Sequence, residues 1–183
     1  MNKPATNPGF TYKDAGDVVG AAFHGTSLAS GKEIEKSGFY LPEKATPDQR
    51  MGKGVCFWEG SERAARRWAK LFFPSEPHCS IAARLKLGKH LNLCTTEGQE
   101  AFKAIAQFLI KDQGISEIYE GQVFNFFVSK FSVDSARRIH EWADQQKLLP
   151  GVENAWATGP SDTIICVYTT RLIEAPCIAW TSN

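Results

Sequence analysis

The chain predicts an α+β fold in which strands and helices intermingle, and three observations lead there. Apolar runs of strand length recur at residues 18–24, 54–58, 79–87, 163–168 and 173–180, with segments of helical spacing between some of them. These segments do not alternate as the strand–helix–strand units of a parallel doubly wound sheet would. No Gly-x-Gly-x-x-Gly follows a strand and no GxxxxGK[ST] is present, so the common dinucleotide and phosphate cradles are absent.

Residues 1–17 are rich in Pro, Asn, Gly and Asp and read as an N-terminal arm, leaving 18–183 as a single domain. The run VVGAAFH at 18–24 reads as a strand. Thr26 or Ser27 then offers an N-cap to a short helix over 28–37, closed by Gly38. Two prolines with Asp, Gln and Gly make 41–53 a loop, and 54–58 is the second strand. Ser61 caps the next helix, with Glu62 in the first turn where the helix dipole favours an anion. Its Ala64, Ala65, Trp68, Ala69, Leu71 and Phe72 recur at helical spacing, and Arg63, Arg66, Arg67 and Lys70 form a basic side whose bland reading is a solvated face. Pro74 ends this helix. Residues 79–87 alternate Ile81, Ala83, Leu85 and Leu87 against Arg84 and Lys86, a half-buried strand, and 88–94 turn the chain. Thr96 with Gln99 forms a capping-box pattern before a helix bearing Phe102, Ile105, Ala106 and Leu109. The aromatic-rich stretch 123–131 suits either a strand or a buried helix. Asp134 is expected to cap a helix carrying Ile139, Trp142 and Ala143, and two strands end the chain.

Composition narrows the function classes. A 43% hydrophobic chain of 183 residues has the material for a sizeable core. Its 21 Lys+Arg against 20 Asp+Glu leave a net charge of +1, without the basic surplus usual in nucleic-acid binders, so nucleic acid is disfavoured as a partner. The five cysteines, Cys56, Cys79, Cys94, Cys166 and Cys177, form no CxxC pair and sit among apolar neighbours, as reduced structural cysteines do. His78-Cys79 lacks a second cluster at zinc spacing, so no metal is expected. No apolar run approaches the ~20 residues that span a bilayer, and the first residues lack a signal-peptide stretch. A cytoplasmic protein, or an exported effector acting in a host cytosol, is the expectation.

Two segments carry the chemistry. In Phe23-His24-Gly25-Thr26-Ser27 a strand gives way to a helix, and the glycine lets backbone approach a planar ligand whose carboxamide its N–H and C=O can pair. His24 can hydrogen-bond a ribose hydroxyl through one ring nitrogen. Taken alone, this segment also reads as a capped strand end. In Gly52-Lys53-Gly54-Val55-Cys56-Phe57-Trp58-Glu59, two glycines flank Lys53, and Phe57 and Trp58 point to opposite faces, so one ring can enter the core while the other flanks a cleft. Two ordinary core aromatics are the bland alternative.

Together, His-Gly-Thr-Ser, the helix ending in Gly38-Phe39, a polar loop, Gly-x-Gly-Val-x-Phe and an Ala-rich helix resemble the diphtheria-toxin-like branch of the ADP-ribosyltransferases, which includes the poly(ADP-ribose) polymerases. The match looks closest to small bacterial members in which the second segment runs into Phe-Trp-Glu. Leu87-Gly88 and Asn92-Leu93 look similar to the Leu-Gly and Asn-Leu pairs at the end of their next strand, and the resemblance covers about residues 20–94. It implies split antiparallel β-sheets with flanking helices and NAD⁺ as co-substrate. By the same resemblance His24 contacts the nicotinamide-side ribose, Gly25 pairs its backbone with the carboxamide, Thr26 and Ser27 border the adenosine side, and Gly54, Cys56 and Phe57 line the nicotinamide pocket. Cys56 stands where the family usually has a stacking tyrosine, a departure that Phe57, Trp58 or Tyr40 would have to offset.

The family also places a glutamate, or a substitute, on a late strand to hold the ribose and stabilise the oxocarbenium-like state. In Ser161-Asp162-Thr163-Ile164-Ile165-Cys166-Val167-Tyr168 the carboxylate is Asp162, which shares strand parity with Ile164 and Cys166. Shifting the alignment by two puts Ile164 there instead, and Asp162 equally suits a turn after Gly159-Pro160. Glu59, Glu117, Glu120 and Glu174 are weaker candidates. The expected reaction breaks the nicotinamide–ribose bond and passes ADP-ribose to an acceptor, whether protein, nucleic acid, small molecule or water, with near-neutral charge favouring protein or small molecule. Three other readings compete: a catalytically inactive NAD⁺ or ADP-ribose binding module, an interaction protein without a nucleotide site, and a cysteine hydrolase using Cys56 with His24.

Overall fold

The computed structural model describes residues 14–43, 50–111, 114, 118–141, 147–148 and 161–182. One long strand, β1 (Asp14–Ser27), runs straight into helix α1 (Leu28–Ser37). Then follow β2 (Val55–Glu59), α2 (Glu62–Phe72), β3 (His78–Asn92), α3 (Thr96–Lys111), β4 (Ile118–Tyr119), α4 (Glu120–Phe131), β5 (Ser135–Glu141), β6 (Lys147–Leu148), β7 (Ser161–Val167) and β8 (Ile173–Thr181). The described residues thus form an α+β protein with a six-stranded mixed sheet, ordered β1-β2-β7-β5-β3-β8, and a two-stranded β4-β6 pair. All pairings in the larger sheet are antiparallel except β3 with β5. Because β1 also pairs with β3, the strands β1-β2-β7-β5-β3 return on themselves and β8 is appended outside.

Strand pattern explains this arrangement. On β3 the buried Ile81, Ala83, Leu85 and Leu87 alternate with exposed Arg84 and Lys86, as the period of two requires. One side of the sheet packs Val19, Phe57, Leu85, Leu87, Ile165 and Val167 together. On the other, Phe102, Phe124 and Phe127 from α3 and α4 meet Leu91, Ala136 and Ile164, each buried ring contributing roughly 2–3 kcal/mol. Ile34 of α1 closes a smaller cluster over Cys79 and Ile81.

Several local expectations are met. Ser27 is the N-cap of α1, its Oγ accepting from Ser30 N at 3.2 Å, and Gly38 ends the helix at φ +80°. Ser61 caps α2 by accepting from Ala64 N at 3.3 Å. The ambiguous stretch 123–131 is helical, within α4.

Others are corrected. The arm does not reach residue 17, since β1 begins at Asp14 and pairs Asp14 with Lys89 and Ala15 with Gly88; residues 1–13 lie outside the described ones. Residues 88–94 are not all a turn: β3 runs through Asn92 and bends at Gly88, where φ is +58°. The cap of α3 is Thr95, whose Oγ1 accepts from Gly98 N at 3.2 Å, one residue before the expected Thr96. The largest correction concerns Asp134, which caps no helix. It precedes β5, which lies between β3 and β7, and its carboxylate instead accepts from Lys89 N at 3.0 Å. Trp142 and Ala143, assigned to that helix, lie outside the described residues.

The bend at Gly88 fixes how β3 leaves β1 to meet β5. A Cβ there would sit 2.8 Å from Asp134 Oδ2, in a left-handed conformation that side chains disfavour. Gly88→Ala should therefore lower the unfolding free energy by about 1–2 kcal/mol in urea titrations. An unchanged midpoint would mean that the bend carries no strain.

Candidate functional site: a two-lobed cleft at the parting of two strands

β1 and β2 pair only through Ala22↔Glu59 and Phe23↔Trp58. Beyond Phe23 the two backbones separate, and a side chain spans the gap: His24 Nδ1 lies 2.9 Å from the Cys56 carbonyl oxygen. A carbonyl only accepts, so Nδ1 carries the proton and donates, which leaves Nε2 as a lone-pair acceptor on the neutral ring. Burial lowers the His24 pKa below the ordinary histidine value, and the Cys56 carbonyl opposes that shift. Phe39 meets the imidazole edge-on at 5.3 Å, and Phe57 lies tilted to it at 5.8 Å. Phe39 and Phe57 also touch each other, 5.1 Å between ring centroids, so the imidazole packs against an aromatic pair.

His24, Gly54 and Cys56 together form a partition between two cavities. The larger, about 330 Å³, is walled by Trp58, Trp68, Arg138, His140 and Ile164, with Leu71 and Phe72 also on its lining. The smaller, about 280 Å³, is bordered by Thr26, Ser30, Phe39 and Tyr40.

The residues singled out from sequence fall into three groups. His24, Gly54 and Cys56 line both cavities. Gly25 and Phe57 border the larger one and Thr26 the smaller. Ser27 lines neither, because its hydroxyl is engaged in capping α1, bonded to Ser30 N and Ser30 Oγ. Asp162 is not on the cleft lining either. It faces His140 in the β5–β7 register, and the residue of that strand on the wall is Ile164. Of the weaker candidates, Glu120 is paired with Arg138, Glu59 with Arg137 and Glu174 with Lys86, while Glu117 lies outside the described residues.

The glycines serve protein packing as well as access. A Cβ on Gly25 would lie 2.1 Å from Ala65 O, so this glycine lets β1 rest directly on the backbone of α2. On Gly54 it would lie 2.4 Å from Cys166 Sγ. Gly52 adopts φ +75° and leaves room for Asn125, whose Oδ1 accepts from Lys53 N at 2.8 Å. With Tyr168 OH donating to Met51 O at 2.8 Å, these contacts hold the segment that forms one cleft wall.

Sequence reasoning missed Arg138 and His140. Both project inward from β5, where Ala136, Arg138 and His140 are buried and Ile139 is exposed. Polar residues at inward positions and an apolar one outside invert the usual alternation, so no hydrophobic periodicity revealed the strand. Arg138 is paired with Glu120 in a buried ion pair and donates through Nε to Ile139 O at 3.1 Å. His140 packs edge-on against Trp58 at 5.0 Å and Trp68 at 6.2 Å. Its pKa falls to about 4, chiefly through burial, then through the cations of Arg50 and Arg138, with Asp162 opposing. Arg50 also lines the larger cavity, whose described lining holds no carboxylate.

No group of three or more His, Cys, Asp or Glu side chains is arranged to hold a metal among the described residues. No described helix is long and apolar enough to cross a membrane. No protein-family model matches the chain, and no curated protein matches it.

The buried neutral His140 has a measurable consequence. Between pH 6.5 and about 4 the unfolded chain binds a proton at this position that the folded chain refuses. Stability is therefore undiminished above pH 6.5 and falls as the solution is acidified, by about 3 kcal/mol in all for this group. His140→Gln should flatten the loss of unfolding free energy between pH 7 and pH 4.5, measured by urea titration. Parallel slopes for the variant and the parent would refute the assignment.

Proposed function

We propose that the cleft binds NAD⁺ and that the protein is an ADP-ribosyltransferase of the diphtheria-toxin-like kind, its near-split between β1 and β2 corresponding to the nucleotide groove of that fold. The observation that carries this reading is the two-lobed cavity with His24, Gly54 and Cys56 as the shared partition. A dinucleotide has two flat ends joined by a polar middle. One lobe offers indole walls to the nicotinamide ring, the other offers Thr26, Ser30 and Tyr40 to the adenosine side, and His24 stands between them.

The chemistry follows from the groups present. Nε2 of the neutral His24 accepts a hydrogen bond from a ribose hydroxyl and orients the sugar. As the bond from ribose C1′ to nicotinamide breaks, its electron pair returns to the ring nitrogen, nicotinamide leaves neutral, and positive charge develops on the sugar. An anion nearby stabilises that charge. Asp162 is the carboxylate we assign to it, on the same strand face as Ile164 and beside His140. Trp58 and Trp68, whose rings lie 6.0 Å apart, supply the aromatic surface that Cys56 cannot.

One observation favours a second reading, a binding module without turnover: Ile164 rather than a carboxylate occupies the cleft wall. Two measurements separate the readings. NAD⁺ at 100 times its Kd should add about 2.7 kcal/mol of apparent stability in either case. Nicotinamide release should occur only in the enzyme. There Asp162→Ala lowers release by ~10²-fold or more while the thermal unfolding midpoint stays near that of the parent, and His24→Ala does so while also losing about 1–3 kcal/mol of stability with its hydrogen bond to the Cys56 carbonyl. Full activity in Asp162→Ala would remove that residue from the scheme, and the absence of any NAD⁺-induced shift would sink both readings.

A further inference from the structure

β2 and β7 are registered so that Cys56 and Cys166 are Cα partners in an antiparallel ladder. Directly opposite residues send both side chains to one face of the sheet, with Cα atoms about 4.5–5.5 Å apart. Disulfides span Cα separations of about 4.4–6.8 Å, so such a pair can be bridged with little backbone movement. The two side chains do share a face: Cys166 is buried in the cluster beneath α3 and α4, and Cys56 packs against that cluster. Their thiols are in hydrogen-bond contact. Gly54 makes room for them, since a Cβ there would lie 2.4 Å from Cys166 Sγ. Both are free thiols.

The two sulfurs differ in access. Cys56 is half-buried and lines both cavities of the cleft, whereas Cys166 is sealed from solvent. Burial, with the contact to Cys56 adding, pushes the Cys166 thiol up, so it stays protonated. A small oxidant entering the cleft therefore meets one sulfur first and finds a second directly behind it. The remaining cysteines offer no such pair: Cys79 is buried and donates to Ser27 O at 3.6 Å, and Cys94 and Cys177 are exposed. We infer that Cys56 and Cys166 form a reversible oxidation site, at which hydrogen peroxide entering the cleft converts the facing thiols to a disulfide. First the Cys56 sulfur takes one peroxide oxygen. An S–O bond forms, the O–O bond breaks, and the departing hydroxide leaves as water with the thiol proton. The Cys166 sulfur then attacks the resulting sulfenic acid. An S–S bond forms, the S–O bond breaks, and the hydroxyl leaves as water with the second thiol proton. Sulfur is oxidised, peroxide is reduced, and a dithiol reverses the change by exchange. Cys56 belongs to the partition between the cavities, and its carbonyl holds His24, so the bridge ties that partition to β7 and removes a thiol from the cleft lining. The inference stands apart from the NAD⁺ reading.

The test treats the full chain with hydrogen peroxide, blocks the remaining thiols with N-ethylmaleimide, and maps its peptides by mass spectrometry without reduction. A peptide pair joined through Cys56 and Cys166 is expected, and dithiothreitol should return both residues to thiols. Cys166→Ser removes the resolving sulfur, so Cys56 should then persist as sulfenic acid and be captured by dimedone. Cys56→Ser should slow oxidation of Cys166 by ~10-fold or more, because the sulfur that faces the cavities is gone. Circular dichroism checks the fold of both variants, and the linked peptide in the parent chain decides the matter even where a variant fails to fold. Oxidation confined to Cys94 and Cys177, with no peptide joining Cys56 to Cys166, would overturn the inference. So would dimedone capture at Cys56 that is the same in the parent and Cys166→Ser, or Cys166 oxidised equally fast with and without Cys56.

Discussion

The hydrogen bond from His24 to the Cys56 carbonyl is the contact around which the cleft is organised. Two adjacent strands of a sheet normally satisfy each other's backbone groups along their whole length, and a gap between them would leave polar groups without partners. Here the pairing stops after Phe23, and an imidazole takes over the role of the missing strand neighbour at Cys56. The same contact fixes the tautomer, aims the remaining ring nitrogen away from the carbonyl, and divides the space into two lobes. Phe39 and Phe57 pack against the ring and against each other, linking the site to the buried cluster that holds Phe57.

The charges behind the cleft obey a consistent logic. Arg138 is buried and would be costly if unpaired, and Glu120 from the neighbouring helix meets that need. Arg137 and Glu59 tie β5 to the end of β2 in the same way. The wall facing the cavity carries Trp58, Trp68, Arg50 and the Arg138–Glu120 pair, and His140 is held neutral chiefly by burial, with the nearby guanidinium groups adding to the shift. A flat aromatic ligand finds ring surfaces there.

Much of the frame was legible because its signals are local. Ser27, Gly38 and Ser61 mark helix ends by their own hydrogen bonds and dihedral angles, and the alternation of β3 is strict. The pair of segments around His24 and Gly54 was legible as well, although only tertiary pairing shows that Gly25 and Gly54 are demanded by neighbouring backbone and sulfur atoms. β5 was hidden for a physical reason: its inward residues Arg138 and His140 are polar and its Ile139 is exposed, so no apolar alternation marks the strand. The same cause hid Arg138 and His140. The extension of β3 past Gly88 was obscured because a left-handed glycine ordinarily signals a turn, whereas here Asp134 occupies its open side.

The contact between Gly25 and Ala65 has a mechanical corollary. With no side chain as a cushion, strand and helix touch backbone to backbone and behave as one rigid wall. Any breathing of the groove that admits a bulky molecule must then come from the opposite bank, the stretch from Arg50 to Gly54, which hangs from the Tyr168 hydroxyl and the Asn125 amide.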